Sequence, residues 1–572
     1  MRGTIDGMDS HIVKLILTAF KKLGFELNES AIHLERPVNI EFGDLSTNAA
    51  LVQFKLQDTY TTPRELAEAV ADAVKKIDDT AISDVSVAGP GFVNLVLKDS
   101  YLLKQLEKKQ ENSSPKQEYI VEYSSPNIAK PFTIGHLRST IIGDAVANIF
   151  EYLGYRVYRD NHVGDWGTQF GKLIYAIKTW GDEKALDVSE NPVKDLVALY
   201  VKFHDEAEKD QALEDEGRAW FKKLEDGNSE ARALWQKCID WSWREFSLIY
   251  DRLHITFTEN QGRGYGESFF EDRLHNIVQL LRDKKLLRES QGASIVEFPK
   301  ETSLPPLMIV KKDGASLYAT RDLATDAFRF QHYGPDILII NEVGAEQQLY
   351  FQQLYKIEEM LGWVKPGQRY HVKHGMYRFK DKKMSTRKGN VIWLQDVLQE
   401  AYDRVKKIAG DRIAEAEIWE VAVGALKWND LKRKSDLNIT FDWDEIVSLD
   451  GNSGPYIQYT YTRCSSILKK AGDTVFTLPA DASLNTEEKA LVLQLLQFEQ
   501  AVLQSAKAFE PHHICTYVYE LAQRLNTLYA KHRVLEAESK EKEQLRLWLV
   551  TKTQEVLKQS LALLGIRIVE RM

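Results

Sequence analysis

Apolar residues recur at helical spacing almost from the start of the chain. Ile12, Leu15, Ile16, Ala19 and Leu23 share one face of residues 9–23, and Gly24 follows as a residue that readily takes a left-handed cap, so a helix is predicted to end there. Pro63, a favoured first-turn residue, opens another helix through Leu66, Ala69, Val70 and Val74. Strands are predicted around 85–87 and over 92–97, joined by Gly-Pro-Gly, which completes an α+β domain over residues 1–107. Residues 107–117 are almost wholly polar and read as a linker. Beyond it the rhythm changes to strand 119–123, loop 124–131, helix 134–153 and strand 156–160, the unit from which parallel sheets are built. The same rhythm returns as strand 336–341, helix 346–361 and strand 370–373, followed by a basic loop and a helix from Leu394. Between the two halves, residues 180–310 read as charged and rich in helix. After about residue 450 strand signals vanish. Asn485 with Glu488 forms a capping-box pattern, Ile514, Val518, Leu521, Leu525 and Leu528 form one stripe, and the last long helix is predicted to end at Gly565.

The expectation is therefore an α/β protein of three parts. Residues 1–107 are the α+β domain, 118–445 a Rossmann-type domain with helical insertions near 170–240 and 268–315, and 446–572 an all-α bundle. Residues 1–7 are left outside this reading. A net charge of −9 excludes a globally basic nucleic-acid coat, so any RNA must be met by local basic patches. The three cysteines, Cys238, Cys464 and Cys515, have neither zinc-knuckle spacing nor the density of a disulfide framework. A reducing, cytoplasmic setting is expected, and no apolar run approaches the roughly 20 residues of a membrane span.

Two short segments carry candidate chemistry. Thr133-Ile134-Gly135-His136 lies where the first predicted loop meets a helix, and the amides and positive end of a helix N-terminus favour phosphate. Gly135 lets a flat base approach, and His136 offers a donor to a phosphate oxygen as charge develops. The other reading is a capping threonine followed by an ordinary Gly-His pair. Lys382-Lys383-Met384-Ser385-Thr386-Arg387-Lys388-Gly389-Asn390 follows the last predicted strand, and residues 371–388 hold seven Lys or Arg against one Asp. Such a loop either neutralises a leaving pyrophosphate or is simply a solvated surface. Trp166, Tyr123 and Phe132 flank these motifs and are assigned to the core. His162 is open to two readings, an ATP contact or a buried structural histidine.

Taken together and in this order, the two segments resemble the HIGH and KMSK signatures of class I aminoacyl-tRNA synthetases. Val121 to Pro131, His162-Val163-Gly164-Asp165-Trp166-Gly167 and Tyr318-Ala319-Thr320-Arg321-Asp322 resemble the arginyl-tRNA synthetases within that class. Gly43 to Asn48, Gly454 to Tyr459 and the terminal Glu570-Arg571-Met572 extend the resemblance over nearly the whole chain. It implies an arginine–tRNA ligase that activates L-arginine with ATP and transfers it to the 3′ adenosine of tRNA(Arg). ATP would enter with Mg²⁺ as its substrate complex, with no protein-ligated metal, and the enzyme would be a monomer with no membrane partner. ATP contacts are expected from Thr133, Gly135, His136, Lys383, Met384 and Ser385. Thr133 replaces the first His of HIGH and Thr386 the second Lys of KMSK. The resemblance implies that Lys130 compensates for the lost cation, with Lys388 or Arg387 as alternatives; Lys130, His136, Lys383 and Lys388 form the catalytic set. Arginine is expected to meet Asp322, Tyr318, Glu122 and Glu267 at its guanidinium, and Asn127 and Gln347 at its α-amino end. Tyr318 and Asp322, four residues apart, would share one helix face, while Asp322 could instead pair with Arg321 or Arg329. Phe92 and Asn94 are expected to read the D-loop, and Tyr456, Tyr459, Tyr529, Arg533 and Met572 the anticodon. A small-molecule nucleotidyltransferase would not need the two flanking domains, and an RNA-binding paralogue without catalysis would not need Lys130, His136, Asp322 and Lys383 together.

Overall fold

A computed structural model describes the chain except for residues 1–6, 38–41, 78–79, 109–116, 313–316, 380–391, 473–474 and 481. Most of the predicted 107–117 linker and all of Lys382 to Asn390 lie outside the described residues. The chain forms two compact units: one contains 1–111, 459–508 and 513–560, the other 112–458, 509–512 and 561–572.

The larger unit is built on a four-stranded parallel sheet. Its order is Arg369–His374, Leu338–Gly344, Glu118–Glu122, Arg156–Asp160, so the strands of the two sequence halves meet at its centre. Strands covered on both sides must be apolar throughout, as Tyr119, Ile120, Val121, Ile339 and Ile340 are. The Ile134–Tyr152 helix packs on this sheet. A Cβ at Gly143 would lie 2.1 Å from Tyr123 Cβ, so only glycine allows the helix this close.

The middle of the chain departs from expectation. Residues 268–315 are not helical throughout: Leu287–Ser290, Ala293–Val296 and Leu307–Val310 form an antiparallel sheet. The first two strands join through Gln291 and Gly292, both at positive φ (51° and 85°), the geometry of a tight two-residue hairpin. Strands of four residues are too short to show a clear alternation, and only Leu287–Ser290 carries charged side chains. Val296 and Ile309 share a core with Leu323 and Ala324 of the Tyr318–Tyr333 helix and Phe351 of the next helix. Thr320 donates to Ile309 O at 2.8 Å, fixing the start of that helix on the sheet. A further parallel pair, Tyr377–Phe379 with Ile439–Phe441, also escaped the sequence reading.

In the smaller unit, Leu34–Glu35, Leu45–Thr47, Phe92–Leu97 and Ile82–Ala88 form an antiparallel sheet in that order. The Pro63–Lys75 helix carries Thr62 and Glu65 as a capping box and buries Leu66, Val70 and Val74. Helices Thr486–Leu495, Phe498–Ala508 and most of His512–Lys531 belong to the same unit. Lys489 ties them to the sheet, 2.8 Å from Asp44 and 3.1 Å from Leu97 O, and Leu484 N–H donates to Asp99 at 2.9 Å. Asn485 and Glu488 form the predicted capping box. Among the described residues no strand follows Phe441, and no helix is long and apolar enough to cross a membrane.

Candidate active site

The site opens at the carboxyl ends of the central strands, where a parallel sheet leaves a crevice. At one side stands the start of the Ile134–Tyr152 helix. Thr133 caps it: its hydroxyl accepts from Gly135 N–H at 3.2 Å, and its own N–H donates to His136 Nδ1 at 3.0 Å. A backbone N–H can only donate, so His136 Nδ1 is the acceptor and a neutral ring carries its proton on Nε2. Burial pushes the His136 pKa down to about 4, which keeps the ring neutral and Nε2–H available. The expectation of free amides here needs correction. Ile134 N–H is taken by Ile392 O (3.1 Å), Gly135 N–H by the Thr133 hydroxyl, and His136 N–H by Thr133 O (3.0 Å). His136 Nε2–H and the open face of Gly135 remain.

The same contacts fix one end of the basic loop. Leu394 N–H donates to Phe132 O at 2.9 Å, and Thr133 bridges Trp393, so residues 393–394 are bonded to the helix start. Lys383, Met384, Ser385, Thr386, Arg387 and Lys388 themselves lie outside the described residues. Lys130 is exposed, three residues before Thr133.

A few residues away the charges turn negative. Asp322 and Tyr318 share a face of one helix, as four-residue spacing requires. Asp322 accepts from the Tyr350 hydroxyl and lies 3.9 Å from His162 Nε2. Burial raises its pKa to about 6, and burial raises that of Glu267 to about 7. His162 Nδ1–H donates to Tyr265 O at 2.9 Å, which turns Nε2 toward Asp322. Burial would lower its pKa, but Glu122, Asp322 and Glu267 outweigh that and raise it. His162 is thus half-buried beside the acidic cluster. Glu267 is placed by the His162 to Gly167 segment: its N–H donates to Val163 O at 3.1 Å, and Asp165 accepts from Ser268 N–H (2.7 Å) and hydroxyl (2.6 Å).

Neither suggested arginine holds Asp322. Arg321 faces Glu271 at 3.6 Å, and buried Arg329 bonds Glu122, Asp160 (2.7 Å) and Asp326 (3.1 Å). The Glu122 carboxylate is therefore already paired; burial would raise its pKa, and Arg329 holds it below the usual value. Tyr318 is 68% exposed at the helix start, and Gln347 is exposed before the Gln348–Leu361 helix. Asn127 is half-buried against Gly164, where an added Cβ would meet its Oδ1 at 2.4 Å. Tyr123, Phe132 and Trp166 are buried. Tyr350 went unnoticed in the sequence because nothing in spacing links positions 322 and 350.

In the smaller unit Phe92 is half-buried, and Asn94 is buried with its Oδ1 accepting from the Ser46 hydroxyl at 2.7 Å. Exposed Tyr459 and Tyr529 flank Arg463, whose guanidinium lies 4.9 and 5.4 Å from their ring centres and donates to Asn526 at 2.7 Å. Arg463, four residues after Tyr459 and so on the same helix face, was missed although that spacing could have found it. Arg533 is exposed nearby in sequence to Tyr529. In the larger unit Tyr456 is half-buried, as is the terminal Met572, and Glu417 accepts from Glu570 and Arg571 N–H at 3.1 Å. Among the described residues no group of His, Cys, Asp and Glu could hold a metal ion.

Three family models match the chain. "tRNA synthetases class I (R), catalytic domain" covers 99–443, "DALR anticodon binding domain" 457–572, and "Arginyl tRNA synthetase N terminal domain" 10–97. Arginine–tRNA ligases of Fusobacterium nucleatum and Clostridium perfringens are 41% and 40% identical to it. The first aligns over 93% of this chain and 94% of its own length, the second over 98% and 99%. In fold it is similar to the arginyl-tRNA synthetase of Plasmodium falciparum (TM-score 0.80, 24% identity, all of both chains). It is likewise similar to that of Thermus thermophilus (TM-score 0.77, 24% identity, 98% of this chain and 100% of the other).

Proposed function

The chain belongs to the arginyl-tRNA synthetase family, and from that premise we propose how its residues carry the reaction. As an arginine–tRNA ligase it joins arginine to tRNA(Arg) at the expense of ATP. The arginine carboxylate attacks the α-phosphate of ATP, which enters as its Mg²⁺ complex; arginyl-adenylate forms and pyrophosphate leaves. The terminal adenosine of the tRNA then takes the arginyl group and AMP departs.

The guanidinium enters the acidic pocket, where Asp322 offers a bidentate acceptor, Glu267 a second charge and the Tyr318 hydroxyl a polar edge. Glu122 contributes from behind through its charge, because Arg329 already holds its carboxylate. Asn127 and Gln347 receive the α-amino end. Thr133 and Gly135 border the nucleotide, and His136 Nε2–H donates to a phosphate oxygen as negative charge develops. Lys383, Met384 and Ser385 contribute to ATP binding. Lys130 supplies the cation that Thr386 does not, with Lys388 as its alternative. Residues 1–107 with Phe92 and Asn94 meet the D-loop, 118–445 carry catalysis, and 446–572 meet the anticodon through Tyr456, Tyr459, Tyr529, Arg533 and Met572. The enzyme works as a cytoplasmic monomer.

The observation that supports the site assignment is the pair of half-buried carboxylates with raised pKa, Asp322 and Glu267, beside His162, which lies 3.9 Å from Asp322. A cationic ligand is what such a pair lacks. Charging of tRNA(Arg) with each amino acid in turn tests it: arginine alone should be transferred. Transfer of a neutral amino acid at a comparable rate would sink the reading.

A further inference from the structure

The loop from Ser124 to Lys130 is bent against the preference of its own residues. Ser124, Ser125 and Ala129 have φ of 72°, 44° and 56°, the left-handed region that residues with a Cβ avoid. At Ala129 the cause is a tight turn. Lys130 N–H donates to Asn127 O at 3.3 Å, which puts Ala129 third of four residues, where a turn with positive φ ordinarily carries glycine. The turn is docked on the backbone of Gly164, through Ile128 N–H to Gly164 O and Gly164 N–H to Pro126 O, both 3.0 Å.

Ala129 N–H takes no part in that ladder. It donates to Ser242 Oγ at 3.0 Å, and Ser242 is wholly buried in the Ser229–Leu253 helix. The Ser242 hydroxyl proton goes to Cys238 O at 2.8 Å, so its oxygen is left to accept from Ala129. Two turns further along the same helix, Tyr250 OH lies 2.8 Å from Ser124 Oγ and accepts from Asn161 Nδ2 at 3.2 Å, while Asn161 Oδ1 accepts from Ser125 N–H at 3.0 Å. One helix thus holds both strained ends of the loop. Lys130 follows immediately and is exposed.

We propose that Ser242 is a positioning residue for arginine activation: by capturing Ala129 N–H it holds the strained turn that presents Lys130 to the ATP phosphates. The inference rests on the reading of Lys130 as the compensating cation. Strain at this turn persists because its surroundings impose it. Without the serine oxygen the buried N–H loses its acceptor, and the turn relaxes toward negative φ.

The test is a set of full-length variants assayed for tRNA(Arg) charging, with rates referred to the folded fraction read by circular dichroism. Ser242→Ala should lower kcat roughly ten- to a hundredfold with the KM for arginine unchanged. Ala129→Gly placed on Ser242→Ala should restore most of that loss, because glycine adopts positive φ without a clash. Lys130→Met should also lower kcat, and Ser242→Ala should add little to it. Wild-type kcat in Ser242→Ala, no rescue by glycine, or an equal further loss in the Lys130→Met background would each overturn the inference. Wild-type kcat in Lys130→Met alone would overturn the reading of Lys130, and the inference with it.

Discussion

Changing Asp322 to asparagine keeps the shape of the side chain and deletes its charge, which separates recognition from folding. In the folded protein burial raises the Asp322 pKa from 3.8 to about 6. A carboxylate whose folded pKa lies above its unfolded value holds its proton more tightly when folded. Its contribution to stability is therefore fully present below about pH 4 and is lost as pH rises to about 6; above that the ionised group opposes folding. The gap corresponds to about 3 kcal/mol at pH 8, and because the side chain is 27% exposed, screening reduces this to about 1–2 kcal/mol. The Tyr350 hydroxyl, which now donates to Asp322, can donate to the asparagine carbonyl instead.

The effect on arginine has the opposite sign. Removing one partner of a desolvated ion pair leaves about 3–5 kcal/mol uncompensated, a loss of roughly 10²- to 10⁴-fold in kcat/KM. The assay pairs steady-state charging over a range of arginine concentrations with thermal unfolding at pH 5 and pH 8. Asp322→Asn should melt at or above the parent at pH 8, with the difference shrinking at pH 5. A variant that melts clearly below the parent at pH 8 would refute the electrostatic account, and an unchanged KM for arginine would refute the assignment of the pocket.

Arginine binding should release protons near pH 7, because a guanidinium favours the ionised forms of Asp322 and Glu267, raised to about 6 and about 7. Titration calorimetry in buffers of different ionisation enthalpy reads this directly, and no release would remove both carboxylates from the arginine site. His136, held neutral by a pKa of about 4, should give pyrophosphate exchange no inflection near pH 6.5. His136→Ala should lower its kcat about 10²-fold, with His136→Asn losing less because it keeps a donor; equal losses would count against donation. Gly143→Ala forces a Cβ to within 2.1 Å of Tyr123 and should destabilise the larger unit by about 1–3 kcal/mol or more in urea unfolding. An unchanged midpoint would show that the helix can move off the sheet.

The alternation of strands and helices around the catalytic sheet was legible because its signals are local: apolar runs, caps and glycines lie within a few residues of what they specify. The Glu122 to Lys130 segment and the Tyr318–Asp322 pair were singled out by their resemblance to a family rather than by periodicity. The hairpin of Leu287–Ser290 and Ala293–Val296 was not legible, since its strands have four residues each and an unusual Gln-Gly turn. Partners distant in sequence were equally hidden. Arg329 bonds Glu122 from 207 residues away, and Tyr350 reaches Asp322 across 28. The amides at the helix start illustrate a different limit: sequence locates a helix N-terminus, but whether its donors are free depends on which strand returns beside it, here at Ile392.

The charges around Arg329 bear on how the proposed pocket would select a cation. Asp322, Asp326 and Arg329 recur at four- and three-residue intervals and line one face of the Tyr318–Tyr333 helix. Arg329 and Arg369 together serve Glu122, Asp160 and Asp326, and Glu358, whose pKa burial pushes up, lies 3.3 Å from Arg369. Arg329 and Arg369 are thus engaged by these carboxylates, while Asp322 faces His162 at 3.9 Å. Asp322 and Glu267, whose pKa values burial raises, are disfavoured in their ionised forms until a cation arrives. A neutral amino acid leaves that penalty standing, whatever its shape, and so is rejected in the binding step itself. Lysine brings the charge as a single point on a flexible stem, whereas in the proposed pocket the planar guanidinium of arginine would meet Asp322 with two parallel donors and Glu267 with a third.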